Sequence, residues 1–275
     1  MQKGRVVRRA ARGLAVGLLA VATAACGATG DGSASGSGSD RARIVVTTTI
    51  LGDIVQNVVG DAADVEVVMP VGADPHEFAP SARQAAAMTE ADLLITNGLG
   101  FEEGLAGAID AAADAGAPVH EVAPGADPLP LGTLTGSGDE AETHDGDDTA
   151  DRAALDPHVW TDPARMADAV GIIAGRLAEV DDSLDTAAVH DRATAYASAL
   201  RALDAEIETL LADIPGDRRV LVTNHEVFAY LADRYGFEVV GVLVPGGSTL
   251  AEPSAADLED LASVIRDRWA PAIFA

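Results

Sequence analysis

The chain is short of several residue types, and each shortage removes a class of explanation. Of its 275 residues one is cysteine, Cys26, so no disulfide closes within the chain and no thiol nucleophile is available beyond that position. One residue is lysine, Lys3. Lys and Arg together number 18 against 44 Asp and Glu, a formal net charge of −26. Phosphate affinity comes from clustered cations, so a basic nucleic-acid-binding face is excluded. The acidity keeps the chain soluble, and its field suits a cationic partner such as a metal ion. Aromatics are 4 % of the chain, and the 28 Gly and 13 Pro form neither a collagen repeat nor a chain-wide low-complexity composition. The apolar run Gly13–Ala22 is too short to span a bilayer. What remains is a length that accommodates one large or two medium domains with cores of their own.

The common catalytic signatures are missing too. His76, His120 and His225 are each followed by Glu, yet none has the second His four positions on that a zinc-protease helix requires. There is no phosphate-binding Gly-rich loop with Lys and no Gly-x-Ser-x-Gly elbow. Gly246-Gly247-Ser248 is a Gly-rich turn and too little for a phosphate site.

The N-terminus is a targeting segment. Lys3, Arg5, Arg8, Arg9 and Arg12 precede the apolar run, and Thr23-Ala24-Ala25 leads to Cys26. This order resembles a bacterial lipoprotein signal: residues 1–25 as signal peptide, with lipidation at Cys26. A plain secretion signal before an incidental Cys fits the same residues, and Arg8-Arg9 is a weak sign of twin-arginine export. Removal of residues 1–25 takes the formal charge from −26 to −31 and leaves Arg as the only strong base. Residues 26–40, rich in Gly and Ser, read as a flexible tether. Anchor, tether and body together give an extracytoplasmic protein held at the cell membrane while it reaches for solute.

The body alternates strand and helix patterns. Strands are expected at Arg43–Thr49, Val65–Met69, Asp92–Thr96 and Pro118–His120, with helices over Ile50–Val59, Ser81–Met88 and Phe101–Ala115. Residues 123–154 break the rhythm with Pro, Gly and acidic residues around His144, and read as a mobile loop. Asp162-Pro163 opens a helix, with Asp as N-cap and Pro at the first helical position. A second helix, from about Leu184 to Ile214, carries the apolar stripe Tyr196, Leu200, Leu203, Ile207, Leu210 and Ile214, and spans roughly 45 Å. Next come a strand at Arg219–Thr223, a helix from His225 to Tyr235 closed by Gly236, and a strand at Phe237–Val244. A helix from Pro253-Ser254 to Arg268 and the start of a strand at Ala272–Phe274 end the chain. The pattern predicts an α/β fold with mainly parallel sheets and covering helices.

Six histidines sort by context. His76 and His158 each close an Asp-Pro-His tripeptide, Asp74-Pro75-His76 and Asp156-Pro157-His158. Proline stiffens the approach, and the Asp is placed to orient the ring through its second nitrogen. His225 follows a strand at an expected helix start, and ligands of open α/β sheets gather beyond the carboxyl ends of strands. Three such histidines are able to converge on one ion. Each alone also fits a hydrogen-bonded loop histidine. His120 reads as a strand-edge residue, His190 as an exposed helix residue, and His144 as part of the solvated acidic loop.

Four stretches carry a family resemblance: PHEFAPSARQAAAMTEADLLITNG (75–98), DPHVWTDPARM (156–166), NHEVFAYLADRYGFEVVGV (224–242) and AEPSAADLEDL (251–261). In this order and spacing, from residue 43 to the end, the chain resembles the zinc/manganese-type (cluster A-I) substrate-binding proteins of bacterial metal ABC transporters. The resemblance implies an N-terminal lobe at 41–184, a long rigid linking helix at 185–213 and a C-terminal lobe at 214–275. The last is expected to be incomplete, with an acidic fourth ligand beyond residue 275. It carries His76, His158 and His225 over as metal ligands, and implies an ABC permease and its ATPase as partners. The expected protein is a monomeric receptor and not an enzyme. Three neutral imidazoles suit Zn²⁺ better than Mn²⁺, which favours oxygen ligands. Two rival readings stand beside this one: a zinc-dependent hydrolase or hydratase with a three-His site, and a surface adhesin or metallochaperone on the same fold.

Overall fold

A computed structural model describes residues 41–132, 155–244, 248–250, 252–270 and 272–274. The expected signal peptide, the expected tether and Cys26 lie outside these residues, as does His144.

Strands β1 (Arg43–Val46), β2 (Asp64–Val67), β3 (Leu93–Thr96) and β4 (Val119–Glu121) form one sheet in the order β2-β1-β3-β4, every pair parallel. Period-two alternation explains its two covered faces. Ile44, Val46, Leu93 and Ile95 face one core, and Val45 and Leu94 face the other. The first core is filled by α1 (Thr49–Val59), α4 (Pro163–Val180) and the N-terminal half of α5 (Ala187–Leu211). The second is filled from α2 (Ala82–Thr89) and α3 (Ala106–Asp114) through Met88 and Ala112, with Leu105 just before α3.

Beyond α5, strands β5 (Val220–Thr223) and β6 (Glu238–Val242) pair in parallel and flank α6 (Ala229–Tyr235). Leu221, Ala232 and Val239 are their small core. After α7 (Ala255–Arg268), Phe274 pairs beside Thr223 in parallel, where a third strand was expected to begin. The fold class is α/β with parallel sheets, as the pattern predicts. Residues 39–275 form one compact unit. No described helix is long and apolar enough to cross a membrane.

Helix starts follow local chemistry. The side chains of Thr48, Ser81, Asp162, Thr186 and Ser254 each accept a backbone N–H of the first turn, which satisfies donors that the helix leaves open. Gly236 ends α6 in the left-handed region, at φ 68°, where a Cβ is penalised.

Three expectations need correction. The helix expected from His225 begins at Ala229, so His225 sits in the connection after β5. The loop expected over 123–154 is packed through its first part: Ala123 and Ala126 are buried, and Pro130 bridges to Leu155. Of that span, residues 133–154 lie outside the described residues. The apolar stripe of the long helix is only partly its buried side: Tyr196 and Leu200 pack on the core, but the stripe does not stay inside. Val189, Ala193, Ala197 and Asp204 are buried, whereas Leu203 and Leu210 are 44 % and 68 % exposed. Small alanines let α5 lie close along α4 and α1, and an ion pair replaces apolar packing at Asp204. At 25 residues the helix is about 37 Å long, shorter than expected.

Candidate metal centre

The site lies beyond the carboxyl ends of the parallel strands, where open α/β sheets collect ligands. Thr48 and Thr49 follow β1, the Gly72–His76 loop follows β2, Asn97 follows β3, and Asn224 and His225 follow β5. With His158, Phe101 and Trp160 they line a cavity of about 360 Å³.

The structure brings His76, His158 and His225 together, with one potential ligand atom from each lying within 4.8 Å of the others. Ring centroids are 5.1 to 6.1 Å apart. His76 and His158 are 3 % and 0 % exposed, and His225 is partly buried. His120 lies on β4 and His190 on α5, where it pairs with Asp185 at 2.7 Å; neither joins the cluster.

Each ring is held by its Nδ1. His158 Nδ1 is 2.7 Å from Asp156 Oδ1, which also accepts the His158 backbone N–H at 2.8 Å. His225 Nδ1 is 3.1 Å from Asn224 Oδ1. His76 Nδ1 is 3.0 Å from Glu103 Oε1. An ionised carboxylate only accepts, so in the neutral ring Nδ1 carries the proton in His76 and His158 and Nε2 keeps its lone pair. Both Nε2 atoms are buried and without a hydrogen-bond partner among the described residues. A buried imidazole nitrogen in that condition is costly unless something binds it. His225 is pushed down to about 4, first by burial and then by His158 and His76, so it is neutral near pH 7. Three imidazole nitrogens around one cavity form a set that fits a borderline divalent cation.

One expected detail is corrected. Asp156 does orient the His158 ring, but Asp74 does not orient the ring of His76. Its Oδ1 accepts the His76 backbone N–H at 3.0 Å, and its Oδ2 accepts the Thr249 hydroxyl at 2.8 Å. Glu103, from a different segment, takes the ring.

Sequence reasoning missed the residues that brace the site. Phe101 meets His76 and His158 edge-on at 5.3 and 5.7 Å, and Trp160 stacks obliquely on Phe101 at 4.7 Å. The Asn97 amide donates to the Pro157 carbonyl at 2.9 Å and ties the end of β3 to the His158 loop. Fully buried Tyr230, on α6, accepts the Leu129 N–H at 3.0 Å and donates to the Asp156 carbonyl. No local pattern marks these residues, because each acts on a partner remote in sequence.

Comparison with known proteins shows the family to which the chain belongs. The profile of the family described as zinc-uptake complex component A, periplasmic (ZnuA), matches residues 44–275. The chain is 30 % identical over 258 residues to the manganese-binding lipoprotein MntA of Halalkalibacterium halodurans, covering 94 % of this chain and 77 % of that protein. It is 32 % identical to the zinc-binding protein TroA of Treponema pallidum over 239 residues, 86 % of this chain and 70 % of TroA. The solved structure of Treponema pallidum TroA superposes with a TM-score of 0.70 at 29 % identity, covering 85 % of this chain and 77 % of that one. This family is one of receptors and not of enzymes, which removes the hydrolase reading. The chain belongs to the ZnuA family, the zinc- and manganese-type periplasmic substrate-binding proteins of metal ABC transporters.

Proposed function

We propose that this protein captures a divalent metal ion, Zn²⁺ in preference to Mn²⁺, through His76, His158 and His225, and delivers it to an ABC permease driven by its ATPase. The observation that carries the reading is the pair of buried, unpartnered Nε2 atoms of His76 and His158 facing a neutral His225 around one cavity. The ion is cargo and undergoes no chemistry. The choice of zinc rests on the donor set, three imidazole nitrogens with no carboxylate in the cluster among the described residues.

The same reading includes lipid attachment at Cys26, a tether over 26–40 and action as a monomer outside the cytoplasm. It divides the body at 41–184, 185–213 and 214–275. The names of relatives support the anchor, since several are called lipoproteins.

Native mass spectrometry with chelator competition tests the ligand set. One tightly held Zn²⁺ is expected in the wild type, with marked weakening in each of His76→Ala, His158→Ala and His225→Ala. Zinc binding indifferent to all three changes overturns the assignment, and tighter Mn²⁺ than Zn²⁺ binding overturns the metal preference.

A further inference from the structure

We infer that Glu103 is a positioning residue for the metal site: it sets the tautomer and orientation of His76. The inference rests on the reading of His76 as a ligand.

The two Asp-Pro-His turns look equivalent in sequence and are not equivalent in space. Asp156 serves both the backbone N–H and the ring of His158, so that turn is self-sufficient. Asp74 spends one oxygen on the His76 backbone and the other on Thr249. The ring of His76 therefore depends on an acceptor from elsewhere, and Glu103 Oε1 at 3.0 Å from Nδ1 supplies it. With Nδ1–H donated to that carboxylate, Nε2 is the lone-pair nitrogen. It is the atom left buried and unpartnered. A carboxylate on the far nitrogen also strengthens the donor nitrogen toward a metal.

The surrounding chain is built to deliver Glu103 there. Its neighbour Glu102 is 4 % exposed and accepts from the Thr47 hydroxyl at 2.6 Å, the Asn97 N–H at 2.6 Å and the Gly98 N–H at 3.1 Å. Residue 102 is thereby fastened to the ends of β1 and β3. Leu105, fully buried, anchors the other side of the short 3-10 turn Glu103–Leu105. Between them Gly104 lies directly against the His76 loop, where a Cβ would sit 2.3 Å from the Phe78 carbonyl oxygen. Only glycine permits that approach, and the approach places the Glu103 carboxylate beside the ring.

The test compares the full chain with its Glu103→Ala, Glu103→Gln and His76→Ala variants. Imidazole ¹⁵N NMR of the metal-free protein is expected to show His76 as the Nδ1–H tautomer. In Glu103→Ala that signature moves toward the other tautomer, while His158, held by Asp156, stays unchanged. Chelator competition is expected to give roughly 10- to 100-fold weaker Zn²⁺ binding for Glu103→Ala. Glu103→Gln, whose amide oxygen still accepts Nδ1–H, recovers most of that loss. An unchanged His76 tautomer in Glu103→Ala, or unchanged zinc affinity, overturns the role of Glu103 provided that His76→Ala weakens binding. Undiminished binding in His76→Ala overturns the ligand reading itself.

Discussion

Each histidine of the cluster is held through a different acceptor: a buried carboxylate for His158, a partly exposed one for His76 and an amide oxygen for His225. The Asp-Pro-His tripeptides and the strand-end position of His225 are visible in sequence, because turn chemistry and strand ends are local. The acceptors divide by the same rule. Asp156 is two residues from its histidine and was foreseen, whereas Glu103 is 27 residues from His76 and was not. At this scale the depressed pKa of His225 has a consequence for the metal-free protein. Its unfolded value is near 6.5 and its folded value about 4, so the unfolded chain takes up the proton first as pH falls. Stability therefore decreases between about pH 6.5 and about pH 4, and the decrease shrinks in His225→Gln. Urea unfolding midpoints across that range, for wild type and variant without metal, check the sign. An identical pH slope in both contradicts it.

At the scale of elements, the helices announced their starts more reliably than their faces. A cap is a contact within three residues, so Ser81, Asp162 and Ser254 were legible as helix boundaries. The buried face of α5 was not, because it depends on which neighbours lie alongside. The alanines that touch α4 and α1 carry less weight in an apolar pattern than Leu203 and Leu210, which point away. Asp204 is the clearest case. It is buried on α5, receives two hydrogen bonds from Arg234 and one from the Tyr235 hydroxyl at 3.0 Å, and so joins the long helix to α6. The Arg234 hydrogen bonds hold the Asp204 carboxyl below its ordinary range. Its contribution is present above the unfolded value near 3.9 and is lost as pH falls through the folded one. Asp204→Asn is expected to cost about 1–2 kcal/mol at pH 7, discounted because Arg234 is 40 % exposed. The difference from wild type should narrow toward pH 3, as read from denaturant midpoints.

Across the whole molecule, the cavity depends on parts of the chain that only the fold brings together. Tyr230 joins α6 to the connection before α4 through Leu129 and Asp156, and Asp156 in turn orients His158. Tyr230→Phe leaves the part-buried Leu129 N–H and the buried Asp156 carbonyl without that hydroxyl. The expected cost is about 1–3 kcal/mol, together with weaker zinc binding because the His158 turn loses its brace. A combined measurement of unfolding midpoint and zinc affinity checks both, and loss of stability with unchanged affinity would separate the brace from the site.

Order of elements, parallel sheets, the capped helix starts at Ser81, Asp162 and Ser254 and the identity of the three clustered histidines were readable from residues 41 onward. Alternation, caps and tripeptides are short-range, and short-range forces act identically in any fold. The acceptor of the His76 ring, the buried face of α5 and the bracing by Tyr230 and Asn97 were settled by packing. Such contacts join residues far apart in the chain, and their partners exist only after the sheet has set the strand ends side by side.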